Sequence, residues 1–348
     1  MNFNIGKRTV GEHNPVFIIA ELSANHLQDF DIAVRTIKAI KDSGADAVKL
    51  QTYTADTMTI DSDNEYFRIR QGTLWDGKTL YQLYQEAYTP LEWQPELKKI
   101  AEKLGLICFS SPFDKTTVDF LEDMDVPAFK VASFEITDIP LIEYIASKGK
   151  PVIISTGIAT LSDIEEALAA CRREGNDQIA LLKCTSEYPT PFEEVNLRTI
   201  PNLAQTFKSI VGLSDHTPGI SVPIASVALG AKIIEKHFIL DRNLGGPDAA
   251  FSLEPDEFRS MVEAVREVEK ALGEVSYELT DRTRKSRELS RSLFVVKDMN
   301  KGEIYTNENI RSIRPGFGVN PKHLNEIIGK KARNNIKKGT PLTWNLIE

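Results

Sequence analysis

The sequence predicts an α/β chain: a (β/α)8 barrel of the TIM type, followed by a smaller second domain. Three observations carry this. Short runs rich in Val, Ile, Leu and Phe recur eight times between Phe17 and Phe238. Helix-like stretches separate them. Beyond about residue 287 the texture changes to short segments punctuated by Gly302, Gly316, Gly318, Gly329 and Gly339. Eight strand–helix repeats fit a closed barrel, with the reactive groups expected at the C-terminal strand ends. A doubly wound open sheet is the alternative, but no Gly-x-Gly-x-x-Gly turn follows the first run.

The apolar runs are Phe17–Glu21, Ala47–Thr52, Leu106–Ser110, Ala128–Ser133, Pro151–Thr156, Ile179–Thr185, Ile210–His216 and Lys232–Phe238. Each is bounded by turn residues, as buried parallel strands should be. Asp31–Ser43 places Ile32, Ile37 and Ile40 on roughly one face and stops at Gly44. Pro95–Leu104 ends at Gly105, a plausible C-cap. Ser162–Arg173 opens on a Ser-Asp-x-Glu cap pattern, and Pro255–Leu272 closes the barrel. Tyr53–Pro90 breaks the rhythm. Its Trp75, Tyr81, Tyr84 and Tyr88 argue for an ordered wall or lid rather than disorder. The charged stretch from Asp281 to Glu288 reads as a linker. The expected division is residues 1–275 for the barrel, 276–286 for the linker and 287–348 for the small domain.

Composition excludes several roles. Of 348 residues, 41% are hydrophobic and 26% charged, as in an ordinary globular protein. A formal charge of -8 argues against nucleic acid as partner. No run approaches the ~20 apolar residues of a membrane span. Met1–Pro15 is polar and lacks a signal-peptide core. Cys108, Cys171 and Cys184 are odd in number and widely spaced, which suits free thiols in a cytoplasmic protein.

The expected strand ends carry Glu21; Lys49 and Gln51; Ser110, Ser111 and Asp114; Lys130, Ser133 and Glu135; and Ser155 and Thr156. They continue with Thr185, Ser186 and Tyr188; Ser214, Asp215 and His216; and Glu235, Lys236 and His237. One such residue is merely where a loop begins; the whole set describes a polar pocket on an apolar barrel. His216 and His237 end neighbouring strands and are candidate ligands of one divalent metal. Hydrogen-bonded, half-buried imidazoles are the other reading. Lys49 and Lys130 lie in apolar strands, where an ammonium needs a partner. They suit a phosphate or carboxylate ligand, with a Schiff-base lysine as the competing role. Lys236 is expected to face the helix layer.

These segments resemble the sialic acid synthase family. The resemblance runs through Ala20–His26, Lys49–Gln51, Ser111–Asp114, Lys130–Glu135, Ser155–Gly157, Cys184–Pro189, Gly212–Thr217 and Glu235–Phe238, and into the tail at Arg314–Gly318. It implies a C-terminal antifreeze-like (SAF) domain and condensation of phosphoenolpyruvate with an N-acetylated sugar. It implies a divalent cation (Mn²⁺, Mg²⁺ or Co²⁺) on His216 and His237. Lys49, Lys130, Ser133, Ser155, Ser186 and Ser214 would then hold phosphoenolpyruvate. Glu21 would handle protons, and Gln51, Glu135, Tyr188 and Asp248 would face the sugar. Ser186 is a departure, since the neuraminate-making members often carry Asn there. Gly72–Lys78 and Gly245–Pro255 resemble the subgroup that takes a 6-deoxy diacetamido sugar, 2,4-diacetamido-2,4,6-trideoxy-L-altrose. A swapped homodimer is also implied, with Arg314 entering from the partner on a glycine-rich loop able to approach another surface closely. Rival readings are a sibling synthase for neuraminate or legionaminate, a Schiff-base aldolase, and a non-enzymatic binding protein acting through its tail.

Overall fold

The computed structural model describes residues 1–70, 72 and 74–348. Thr73, within the Gly72–Lys78 segment, lies outside the described residues. The chain divides into two compact units, Met1–Gly273 and Glu274–Glu348.

The first unit opens with a hairpin, β1 (Asn2–Ile5) and β2 (Arg8–Gly11). Eight parallel strands follow: β3 (Phe17–Glu21), β4 (Ala47–Thr52), β5 (Ile107–Pro112) and β6 (Phe129–Val131), then β7 (Val152–Ser155), β8 (Ile179–Lys183), β9 (Ile210–Asp215) and β10 (Ile233–His237). They close into a barrel in sequence order, with β10 pairing both β9 and β3. The predicted barrel is therefore the observed one.

Side-chain alternation sorts each strand into an inner and an outer face. In β3, Ile18 and Ala20 pack with Ile37, Ile40, Phe258 and Met261 of the surrounding helices. Phe17, Ile19 and Glu21 take the opposite face. The register pairs Ile19 with Ala47, Glu21 with Lys49 and with His237, and Lys49 with Phe109. The interior is thus apolar through Phe17, Ile19, Ala47 and Phe109 and becomes charged at the C-terminal end, through Glu21, Lys49 and His237. The hairpin lies at the other end: Phe3, Ile5 and Val10 share a cluster with Phe17, Ile19 and Phe109. Its turn glycine, Gly6, has φ +55° and faces Ile107 and Pro127 at the strand starts.

Helix bounds differ slightly from expectation because the caps differ. The helix expected to open at Ser162 begins at Leu161, capped by a reciprocal Thr160–Asp163 box. The closing helix is Pro255–Leu272, as expected, boxed by Glu254 and Glu257. Among the described residues no helix is long and apolar enough to cross a membrane. All three cysteines are buried and free.

The second unit has its own core of Leu293, Val295, Met299, Tyr305, Ile310, Ile327 and Leu342. Its strands β11 (Ser292–Val295) and β12 (Ile310–Ile313) pair antiparallel. The charged stretch read as a linker contains a helix, Asp281–Arg287, capped by Thr280. The glycines beside Arg314 are used inside this unit. A Cβ on Gly318 would sit 2.2 Å from the Leu293 carbonyl, and one on Gly316 2.7 Å from that of Arg287.

Candidate active site

The C-terminal end of the barrel holds a cavity of about 240 Å³. Its floor is a buried ionic network. Lys49 Nζ lies 2.8 Å from Glu21 Oε1 and 3.1 Å from Glu235 Oε1. Lys130 Nζ is 3.8 Å from the same Glu235 oxygen and donates to Ser155 Oγ at 2.7 Å and the Val131 carbonyl at 2.9 Å. Gln51 donates to Glu21 Oε1 at 2.9 Å and Ser214 to Glu235 Oε1 at 3.1 Å. These four charged side chains are at most 3% exposed.

Burial disfavours charge, so the partners decide each protonation state. Burial pushes the Glu21 carboxyl up, but Lys49, then His237, outweigh it and hold it far below the usual carboxylate range. Burial lowers Lys49, yet Glu21 and Glu235 leave it raised overall. For Lys130 burial wins over Glu235, and its pKa falls. Glu135 stands apart. Burial raises it to about 7, with Lys130 opposing. A carboxyl at that value can both give and take a proton near neutrality.

One wall is a cradle of hydroxyl groups. Ser186 Oγ donates to Ser133 Oγ at 2.7 Å, and Ser133 Oγ accepts the Ile158 N–H at 3.1 Å. Gly157 makes room for this. A Cβ there would lie 2.2 Å from Ser186 Oγ and 2.6 Å from Ser133 Oγ. Lys130 and Ser155 complete the cradle from adjacent strand ends.

The ends of β9 and β10 carry the imidazoles. The rings of His216 and His237 are 5.4 Å apart. His216 Nδ1 donates to the Thr185 carbonyl at 3.2 Å, which leaves Nε2 as the free lone pair. Burial keeps this imidazole well below its ordinary pKa and therefore neutral. His237 Nε2 is 3.2 Å from Glu21 Oε2, and Nδ1 is buried with no hydrogen-bond partner, 3.6 Å from Asp248 Oδ2. Phe251 packs on both rings, with centroids 4.9 Å from His237 and 6.0 Å from His216. Tyr188 packs against His216 with ring centroids 4.4 Å apart and the planes tilted by 54°. Ser23 holds Asp248 through a 2.5 Å hydrogen bond.

The residues fit a divalent cation in two respects. Neutral imidazole is a good ligand, and the orphaned His237 nitrogen is a donor without a use. Charge gives the second. Lys49 and Lys130 are matched by Glu21 and Glu235, and Asp248 adds another carboxyl. An anionic ligand entering this cavity therefore needs further positive charge. Among the described residues no cluster of three or more His, Cys, Asp or Glu is arranged to hold a metal.

Thirteen of the fourteen expected site residues meet around this cavity; Arg314 belongs to the second unit. Other strand-end polar groups are structural. Asp114 caps the helix Lys115–Asp123, Ser110 bonds Thr52, and Lys236 pairs with Asp215 at 2.5 Å on the barrel's outer side. His26 is also structural: its ring is buried between Thr89 and the Gln28 N–H, and burial lowers it to about 4. Glu235 is the residue that sequence reasoning noted but gave no role. Its signal was available, since it lies two positions before His237 and so shares its face. Ser23 and Phe251's contact with both histidines had no sequence signal.

The chain matches the NeuB family model over residues 36–277 and the SAF domain model over residues 290–348. It is 50% identical over 335 residues to a pseudaminic acid synthase of Helicobacter pylori, covering 96% of this chain and 98% of that one. It is 47% identical over 341 residues to that of Campylobacter jejuni, covering 98% and 97%. Among solved structures it resembles the N-acetylneuraminic acid synthetase of Leptospira borgpetersenii. The TM-score is 0.74 at 32% identity, covering 82% of this chain and 95% of that one.

Proposed function

The chain belongs to the NeuB family, and from that premise we propose that it condenses phosphoenolpyruvate with 2,4-diacetamido-2,4,6-trideoxy-L-altrose to give pseudaminic acid and phosphate. Identity near half over almost the whole chain to two pseudaminic acid synthases is the observation that carries this reading.

The ionic floor and the cradle divide the work. Lys49 and Lys130 oppose the phosphate and carboxylate charges of phosphoenolpyruvate, with Ser133, Ser155, Ser186 and Ser214 fixing its oxygens. The methylene carbon of phosphoenolpyruvate, C3, then faces the aldehyde of the open-chain sugar. A bond forms between C3 and the aldehyde carbon, whose oxygen takes up a proton; water adds to C2 and gives up a proton, and the bond from C2 to the phosphate oxygen breaks to release inorganic phosphate. A divalent cation (Mn²⁺, Mg²⁺ or Co²⁺) held by His216 and His237 would supply charge stabilisation at the aldehyde oxygen. Gln51, Glu135, Tyr188 and Asp248 line the side left for the sugar.

Glu21 was expected to handle protons. Its low pKa favours a different task, holding Lys49 and His237 in place as a permanent anion. Glu135, at about 7, is better matched to exchange a proton with the acceptor's oxygen or the incoming water. The partner's Arg314 is proposed to face the sugar in a homodimer, on the support of the family resemblance.

The test is phosphate release with phosphoenolpyruvate and a panel of amino sugars, with and without added metal. The diacetamido 6-deoxy sugar should turn over fastest. Faster turnover of N-acetylmannosamine would reassign the acceptor. Trapping of a pyruvate adduct on Lys130 by borohydride would replace the mechanism with a Schiff-base one.

A further inference from the structure

The long excursion between β4 and β5 lines the cavity with Tyr53, Trp75 and Tyr84, and of these three Trp75 also borders a second, outer cavity. The middle of the excursion is a hairpin-like strap. Arg68 and Thr79 form an antiparallel bridge, the Ile69 N–H donates to the Lys78 carbonyl at 3.0 Å, and the Gly77 N–H donates to the Ile69 carbonyl at 3.1 Å. Trp75 sits in the tip. Its indole N–H donates to the Pro247 carbonyl at 3.1 Å, joining the strap to the loop that carries Asp248 and Phe251. Its ring lies 5.8 Å from that of Tyr188, which in turn packs against His216.

Trp75 borders two spaces. One is the catalytic cavity; the other is an outer cavity of about 580 Å³ whose lining includes Leu74, Pro247, Ala249 and Ala250. A ring between them meets the end of the acceptor that points away from the reacting aldehyde. Phe251 packs edge-on against the two imidazoles on the floor side of the loop, and Ala249 and Ala250 face the outer cavity. Of the aromatic rings that line the catalytic cavity, Trp75 is the one that also borders the outer cavity, which places it at that distal end.

We infer that Trp75 is the specificity-determining residue for the acceptor's distal end, taking a methyl or acetamido group against its ring and disfavouring a hydroxymethyl group. This rests on the proposed function. The chemistry is ordinary: a hydroxyl against an indole face loses a water hydrogen bond and gains no partner, whereas a methyl loses nothing.

The test compares kcat/KM for the diacetamido 6-deoxy sugar and for N-acetylmannosamine in the full-length enzyme, Trp75→Ala and Trp75→Phe. In Trp75→Ala the preference for the 6-deoxy sugar should shrink by roughly 10-fold or more, a size usual for one apolar contact. The KM for phosphoenolpyruvate should not move. Trp75→Phe keeps an aromatic face but loses the N–H to Pro247, and should retain most of the preference. An unchanged preference ratio in Trp75→Ala, with both acceptors slowed in parallel, would overturn the inference and leave the parent reading standing. Loss of preference in Trp75→Phe equal to that in Trp75→Ala would assign the effect to the tether and also overturn it. A wild-type enzyme that favours N-acetylmannosamine, or releases phosphate with neither sugar, would sink the parent reading and this one together.

Discussion

Glu135 shows what one side chain in this cavity costs and provides. Its folded pKa of about 7 lies above the ordinary 4.5, so the fold favours its protonated form. The stability this contributes is complete below about pH 4.5 and is lost as pH rises through about 7. Glu135→Gln cannot ionise. Its melting temperature should match the wild type near pH 5 and exceed it by a few degrees at pH 8. Parallel melting curves at both pH values would remove the elevated pKa and with it the proton-exchange role. Gly157 invites a second substitution. A methyl group there overlaps the Ser133 and Ser186 hydroxyls, while its backbone is not in the left-handed region. Gly157→Ala should fold but raise the KM for phosphoenolpyruvate about 10-fold or more, read from initial rates at saturating acceptor. His216→Ala and His237→Ala should each cut kcat about 100-fold or more, and EDTA should do the same to the wild type, with Mn²⁺ restoring it. Full activity in EDTA would exclude the metal.

At the scale of elements, the strands were the most legible part of the sequence. Phe17–Glu21 and Ala47–Thr52 have the bounds expected of them, because each apolar run stops where the barrel interior turns polar. Strand β6 is shorter than expected, since the chain after Val131 enters a 3-10 turn, Ser133–Thr137, that lifts Ser133 and Glu135 to the cavity. The hairpin β1–β2 was missed. Asn2–Gly11 is polar overall, and the buried Phe3, Ile5 and Val10 stand out only when alternation is read around the Gly6–Lys7 turn. Caps tie local sequence to stability without touching catalysis. Asp114 accepts from the Thr116 and Thr117 N–H groups, each at 3.1 Å. Asp114→Ala should cost about 1 kcal/mol and lower the melting temperature by about 2 °C. The KM for either substrate should stay unchanged; a shift would make Asp114 part of the site.

The whole molecule has two units, and the sequence signalled both through its change from apolar runs to glycine-punctuated segments. What the second unit does was legible only as the resemblance around Arg314. If the partner's Arg314 completes each site, His216→Ala and Arg314→Ala chains should be nearly inactive alone. Random mixing under subunit exchange should then recover about a quarter of wild-type sites, because half the dimers are mixed and each has one intact site. No recovery after verified exchange would end the trans arrangement.

The matched lysines and glutamates have one more consequence. The charges of Lys49, Lys130, Glu21 and Glu235 cancel and the Asp248 carboxyl is left over, so the pocket by itself has little attraction for a multiply charged anion, and a dication bound there without one sits beside two ammonium groups. Each ligand then becomes the counter-ion of the other. Titration calorimetry should find phosphoenolpyruvate binding weakly to metal-free protein and about 10-fold or more tighter with Mn²⁺ present. Thermodynamic reciprocity requires phosphoenolpyruvate to tighten Mn²⁺ by the same factor. Independent affinities would mean that the quartet is not neutral towards its ligands. If the coupling holds, the enzyme is a coincidence detector, empty until two small ions of opposite sign are available together.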